Sequence, residues 1–530
     1  MQGLKYVFII ILIGLIIFAG YTLYSKPEEN SAENAQQIVT EEDYTQIITR
    51  LRLGICNYDT INPLLSRNKT VQYYSKLIFE PLFSLNEDFS LKQCLATECS
   101  RTGDKTYLIK LRKDVKWQDG NPFTAKDVKY TIDVLKSGIN SIYVDNVRTI
   151  SGLEVIDEYT LRISVYEQTP FFEYNLIFPI MPEHYYYGIN FADDPLTPMG
   201  TGMFKIENRT TSYIKLVRND GWWNSTNLPK IDGITINVYL DAGELYNAFK
   251  IGNVDLLVTD NNNYADYVGT IGFETKEFKG REYDFLAINQ SNNILARKEV
   301  RQAMNYSIDK NNIVASIFNN KCYVVNSPLD YGSWLYRDAS NISEYSLEKA
   351  QKALMDNGWE LSNRQWTKIE NYRTLKTSFN FFVNSSNYQR IQVAENIRVQ
   401  LENFGIVLNV KQVNDNQYNS YLQNKNYDLM IAGVNLSFSP NLSTFYGASN
   451  LANYNNEEVN KLYSSILNIS DKKLLKEKIF EIQSITNDDI VYIPLYMNKI
   501  TLLYGSDLVG DVNPNWYNIF YNIEKWYRKN

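Results

Sequence analysis

An α/β fold is predicted for this 530-residue chain, and three observations carry the expectation. Stretches of helical spacing alternate with stretches of period-two spacing along most of the length. No internal repeat or low-complexity block interrupts that alternation. The composition, with 44% hydrophobic and 21% charged residues, is that of a globular protein. At roughly 150 residues per domain, the length corresponds to two to four lobes.

The first element is an uncharged apolar run of 18 residues, 6–23 (YVFIIILIGLIIFAGYTL), at the lower limit for a helix that crosses a bilayer. Lys5 precedes it, while Lys26, Glu28, Glu29 and Glu33 follow. The positive-inside tendency then places residues 1–5 in the cytoplasm and the rest of the chain outside. Residues 6–24 are read as an uncleaved transmembrane anchor, which puts the C-terminal part at the cell surface. A cleavable signal is the alternative, since Ala19 and Gly20 lie near the end of the run, and cleavage would release a secreted protein. Residues 25–45 are acidic, rich in Asn and Gln and poor in aromatics, as expected of a disordered tether.

Strands and helices follow in turn. LRLGICNY (51–58) alternates as a strand does, and INPLL turns the chain. TVQYYSKLIF (70–79) has helical spacing, with Thr70 as the expected N-cap. TYLIKLRKDVKW (106–117) alternates, with Tyr107, Ile109 and Leu111 on one face. Asp119-Gly120 and Asn121-Pro122 are turn dipeptides. Thr124 and Asp127 fit a capping box that opens a helix, so both acidic residues of this stretch have structural roles. TLRISVY (160–166) is a strand, residues 200–223 a Gly-rich turn and a hairpin, and residues 244–258 a helix, a Gly turn and a strand. YDFLAINQS (283–291) is a further strand. Residues 298–318 form a helix with Val300, Ala303, Met304 and Ile308 on one face. Residues 346–359 are a helix that Ser346 caps and Gly358 ends. Residues 388–413 are a long helix, a stop at Gly405 and a strand, YDLMIAGV (427–434) is a buried strand, and residues 470–496 are a helix with a β return.

Composition and motifs narrow the function. A net charge of −7 and the lack of basic runs interleaved with aromatics argue against nucleic-acid binding. Tyr occurs 41 times, which suits both an aromatic-packed core and a Tyr-lined cleft. Cys94 and Cys99 are near enough in sequence to pair, but the four cysteines and the single His184 make no cluster of zinc spacing. His184 reads as a loop residue. No nucleophile elbow, phosphate-binding loop or His-Glu-x-x-His is present. No catalytic residue, metal or cofactor is therefore predicted. An exported hydrolase with a carboxylate pair set by the fold is the remaining enzymatic alternative.

Several motifs, in order, resemble the family 5 extracellular solute-binding proteins, the oligopeptide-, dipeptide- and nickel-binding receptors of ABC importers. They are LRLGICNYDTINPLL, LIFEPLFSLN, LIKLRKDVKWQDGNPFTAKDVKYT, GTGMFKI with LVRNDGWW, KEVRQAMNYSIDKNNIV, EKAQKALMDNGW, LENFGIVLNV and YDLMIAGV. The resemblance covers about residues 50–510. It implies a periplasmic-binding-protein-like clamshell (type II, class C) with two main lobes, a smaller inserted lobe and a hinge. Lobe I would comprise 46–78, 195–280 and 500–530, lobe II 79–194, and lobe III 281–499. The implied activity is capture of a peptide-like or other polar solute by hinge closure and delivery to an ABC permease, by a monomer. A sensor that presents the same closed form to a signalling partner is the alternative.

The resemblance also implies ligand-facing positions: Asn57 on the first strand, Tyr143 on the small lobe, Tyr283 and Phe285 on the hinge strand, and Asn435, Ser437 and Phe438 on the facing loop. Core packing is the competing reading of each aromatic. There are departures. Tyr21 stands where relatives carry a lipidated Cys. Ser437 falls where peptide-binding relatives place an Asp that pairs with the α-ammonium, so a charge-assisted bond is missing. Asn57 falls where some relatives carry an acidic contact, and one His does not support a nickel-type ligand.

Overall fold

The computed structural model describes residues 50–190, 196–259, 272–330, 332–339 and 344–529. The expected anchor and tether lie outside the described residues. Among the described residues no helix is long and apolar enough to cross a membrane.

The fold is α/β, as predicted, and three sheets organise it. In the first, Arg50–Cys56 runs parallel to Gly233–Tyr239, which pairs antiparallel with Tyr213–Arg218, and Phe204–Arg209 completes the order. Alternation works as expected here: Leu51, Leu53 and Ile55 are buried. The helix Lys69–Ser75 follows, but Asn68 rather than Thr70 caps it. The Asn68 side chain accepts from the amides of Thr70 and Val71 at 2.9 and 3.3 Å. Thr70 sits inside the first turn, because the Asn68 side chain two residues earlier already satisfies those donors.

The second sheet has the order Ala96–Gly103, Thr106–Leu111, Thr160–Val165, Ile150–Asp157 and is wholly antiparallel. The helix Ala125–Lys136 packs on it behind the capping box expected at Thr124 and Asp127. Asp127 is buried and fully engaged. It accepts from Thr124 N (2.8 Å), Glu183 N (2.8 Å) and Trp117 Nε1 (3.2 Å). Burial raises its carboxyl above the ordinary value despite those donors. Asp119 holds the Asn121 amide at 3.0 Å and sits 2.8 Å from His184 Nε2. Both carboxylates are therefore scaffold, and His184 closes the same turn.

The third sheet is seven-stranded. Its order is Leu256–Thr259, Tyr492–Gly505, Phe273–Ile288, Leu429–Asn435, Ser378–Asn384, Val407–Val413, with Cys322–Val324 paired to Tyr492–Gly505. Phe273–Ile288 and Tyr492–Gly505 are its long central pair. The near half of Tyr492–Gly505 joins Leu256–Thr259, whose neighbour Asp255 binds Arg52 of the first sheet at 2.6 Å. The far half of Phe273–Ile288 joins Leu429–Asn435. Between the halves the register jumps from Lys279↔Lys499 to Tyr283↔Met497. Gly280 lies in this bulge, where a Cβ would stand 2.1 Å from Asn498 Oδ1, and that same oxygen accepts from Glu282 N at 3.1 Å.

Helices cover the sheet. Residues 298–318 form two helices rather than one, Lys298–Ser307 and Lys310–Phe318. Asp309 breaks the run because its carboxylate accepts from Asn312 N at 2.9 Å and caps the second helix. Val300, Ala303, Met304 and Ile308 are all buried. Ser346 caps Leu347–Met355, and Gly405, with φ of 105°, ends Tyr388–Phe404. The four cysteines are free, so Cys94 and Cys99 do not pair.

Candidate functional site

Leu429–Asn435 is the element around which the site forms. One edge pairs with Phe273–Ile288 along the full length, from Leu429↔Ile288 to Asn435↔Glu282. The other edge pairs with Ser378–Asn384 only at Leu429 and Met430. From Ile431 onward that edge has no strand partner among the described residues. A cavity of about 540 Å³ opens there, lined by Asp284, Lys321, Arg390, Gly433, Val434, Asn435, Tyr496 and Asn498, among others. A second cavity of about 150 Å³ shares Val434 and Asn435 with it and continues along residues 436–442.

Strand alternation decides which side chains reach the first cavity. Tyr283 and Phe285 point to the buried face, stacked at 5.1 Å and edge-on to Phe445, with Phe285 also edge-on to Tyr492. Asp284, between them, points to the cavity. There Arg390, from the first turn of Tyr388–Phe404, forks onto it: NH2 to Oδ1 is 2.6 Å and Nε to Oδ2 is 3.2 Å. Burial opposes the guanidinium charge, but the Asp284 carboxylate overrides it and holds Arg390 above its ordinary value. The pair lies directly on the backbone of Gly433, where a Cβ would stand 1.7 Å from Arg390 NH2 and 2.0 Å from Asp284 Oδ1.

The second cavity has aromatic walls and a charged corner. Trp516 stacks on Phe438 at 5.6 Å and on Phe89 at 5.0 Å. Arg281, from the bulge of the long central pair, lies 4.0 Å from the Trp516 ring. It also binds Asp330 and the carbonyls of Leu436 and Ser437. Trp334 Nε1 donates to Tyr174 OH at 2.9 Å and closes the rim.

A third cavity, about 260 Å³, gathers Lys76, Glu80, Tyr143, Trp222, Trp223 and Tyr517. Glu80 is buried, and no cation among the described residues pairs with it. It accepts from Thr201 Oγ1 (2.8 Å), Trp222 Nε1 (3.0 Å), Trp223 Nε1 (2.9 Å) and, at 3.8 Å, the Cys94 thiol. Burial pushes its carboxyl up to about 6, outweighing those donors. Lys76 lies 4.0 Å from the Tyr517 ring, and burial lowers its ammonium to about 8.

The expected ligand positions are thus distributed unevenly. Asn435, Ser437 and Phe438 come together at the second cavity, Asn435 bordering both. Tyr283 and Phe285 lie in the core beneath the same strand. Tyr143 lines the third cavity and donates to Gln72 Oε1 at 2.7 Å. Asn57 is exposed just past the first strand, with φ of 48°, and its carbonyl accepts from Asn68. Sequence reasoning did not find Asp284–Arg390 or Arg281–Asp330, whose partners lie 106 and 49 residues apart. Among the described residues no group of three or more His, Cys, Asp or Glu is arranged to hold a metal ion.

An α/β fold with a long central strand pair, and with polar cavities along a strand edge that has no strand partner among the described residues, is the architecture in which these positions lie. The chain belongs to the bacterial extracellular solute-binding proteins, family 5, whose profile matches residues 90–456. Members of that family are the substrate-binding components of transporters rather than enzymes. The oligopeptide-binding protein AppA of Bacillus subtilis is 24% identical over 494 residues, 88% of this chain and 89% of that protein. The structure of AppA with a nonapeptide has a TM-score of 0.59 at 24% identity, covering 91% of this chain and 99% of that one. A nickel ABC transporter structure from Bacillus halodurans has a TM-score of 0.74 at 21% identity, covering 88% and 96%.

Proposed function

We propose that this protein captures a peptide-like or other polar solute at the edge of Leu429–Asn435 and hands it to an ABC permease. The observation that carries the reading is the strand edge itself, which beyond the Ile431 carbonyl held by the Tyr418 hydroxyl at 2.9 Å has no strand partner among the described residues and is bordered by two contiguous cavities. An extended backbone can add to such an edge by main-chain hydrogen bonds while its side chains enter the flanking cavities. The nonapeptide seen with AppA is a ligand of that kind. Closure occurs by bending at the bulge of Gly280 against Asn498, where the two long strands exchange register between the lobes. In this reading lobe I comprises 46–78, 195–280 and 500–530, lobe II 79–194 and lobe III 281–499, with the two long strands of the third sheet running from lobe I into lobe III. Residues 6–24 hold the protein at the membrane with the binding part outside.

Native mass spectrometry of the full chain purified from its own host tests the reading. Bound peptides or a single polar metabolite is the expected mass difference. A chain that carries nothing, and that no peptide mixture stabilises against heat, would overturn it.

A further inference from the structure

The second cavity holds an imbalance that the fold does not resolve. Asp330 Oδ1, Ser333 Oγ and Trp516 Nε1 are buried polar atoms with no hydrogen-bond partner among the described residues, and all three residues line the same 150 Å³ space. Asp330 is 8% and Trp516 7% exposed. Unpaired buried polar atoms cost stability and are rare in folded proteins. Three in one small cavity point to a group that satisfies them when it is bound.

We propose that this cavity is a selectivity pocket for a neutral amide, a group that carries both N–H and C=O. The inference rests on the solute-binding reading above and specifies its ligand. The orphan atoms are complementary to an amide: Asp330 Oδ1 accepts, the indole N–H of Trp516 donates, and the Ser333 hydroxyl does either. Charge excludes the alternatives. Arg281 already neutralises Asp330, and both side chains are well shielded from water. An added ammonium would leave a net positive charge in a desolvated corner, and a carboxylate would face Asp330 unpaired. The volume suits the end of one side chain. Phe89, Phe438 and Trp516 supply flat walls against which a planar amide packs.

The test is binding calorimetry of the full chain with tripeptides of alanine, in which each position in turn carries Gln, Lys, Glu or Leu. At one position Gln is expected to exceed the other three by about tenfold, since a site with buried unpaired partners discriminates against groups that cannot fill them. Trp516→Phe keeps the stacking and removes the N–H, and should cut that preference to about twofold. Asp330→Asn should weaken the same preference, and far-ultraviolet circular dichroism checks that both variants fold. A preference for Lys, or a Gln preference that Trp516→Phe leaves intact, would overturn the pocket while solute binding stands. Binding of no peptide in the set would overturn the pocket, whereas solute binding falls only if native mass spectrometry also finds nothing bound.

Discussion

Glu80 offers a test in which the sign of the effect is informative. Its carboxylate receives two indole N–H groups, a hydroxyl and a thiol, and no cation among the described residues pairs with it. Burial wins over those donors and moves the group from an ordinary 4.5 to about 6. An acid raised in this way binds more protons folded than unfolded between the two values. Stability from this group is therefore fully present below about 4.5, and it is lost as pH rises through about 6. Linkage over that interval makes the protein about 1 kcal/mol more stable at pH 5 than at pH 7 on account of Glu80 alone. Glu80→Gln keeps the shape and cannot titrate. Its amide NH₂ meets at least one of the same donors, costing about 1–3 kcal/mol at neutral pH. Urea unfolding of the two proteins at pH 7 and pH 5 isolates the group, since every other titration is common to both. The wild type should gain about 1 kcal/mol on the variant as the pH is lowered. An equal gap at the two pH values, or one that shrinks in acid, would refute the claim that burial outweighs the four donors.

Two further outcomes follow from local geometry. Gly433→Ala places a Cβ within 2.0 Å of both members of the Asp284–Arg390 pair. The pair must leave the cavity wall, and affinity for a solute bound at the Leu429–Asn435 edge should fall on the order of tenfold by calorimetry. Thr124→Ala removes one half of the capping box that opens Ala125–Lys136, so urea unfolding should show a loss of about 1 kcal/mol with peptide affinity unchanged.

What could be read from the sequence was local. The capping box at Thr124, the cap at Ser346, the stop at Gly405 and the alternation of 106–111 are each set by residues a few positions apart, and each stands in the structure. Where two local signals competed, the reading slipped: Asn68 displaced Thr70 as a cap, and Asp309 cut one expected helix into two. The site was less legible because it is built from distant segments. Trp516 meets Phe89 and Phe438, and Asp284 meets Arg390, through sheet register that no spacing encodes. Alternation along 283–285 did contain one usable signal. If the aromatics at 283 and 285 face the core, Asp284 must face the opposite side.

Main-chain pairing of a solute at one strand edge is measured directly by hydrogen exchange. Deuterium uptake of the full chain is compared with and without the ligand recovered from it. The account predicts slowed exchange of backbone amides within 432–437 on binding, together with the bulge at 280–282. Protection confined to the third cavity around Glu80 and Tyr143, with 432–437 unchanged, would contradict it.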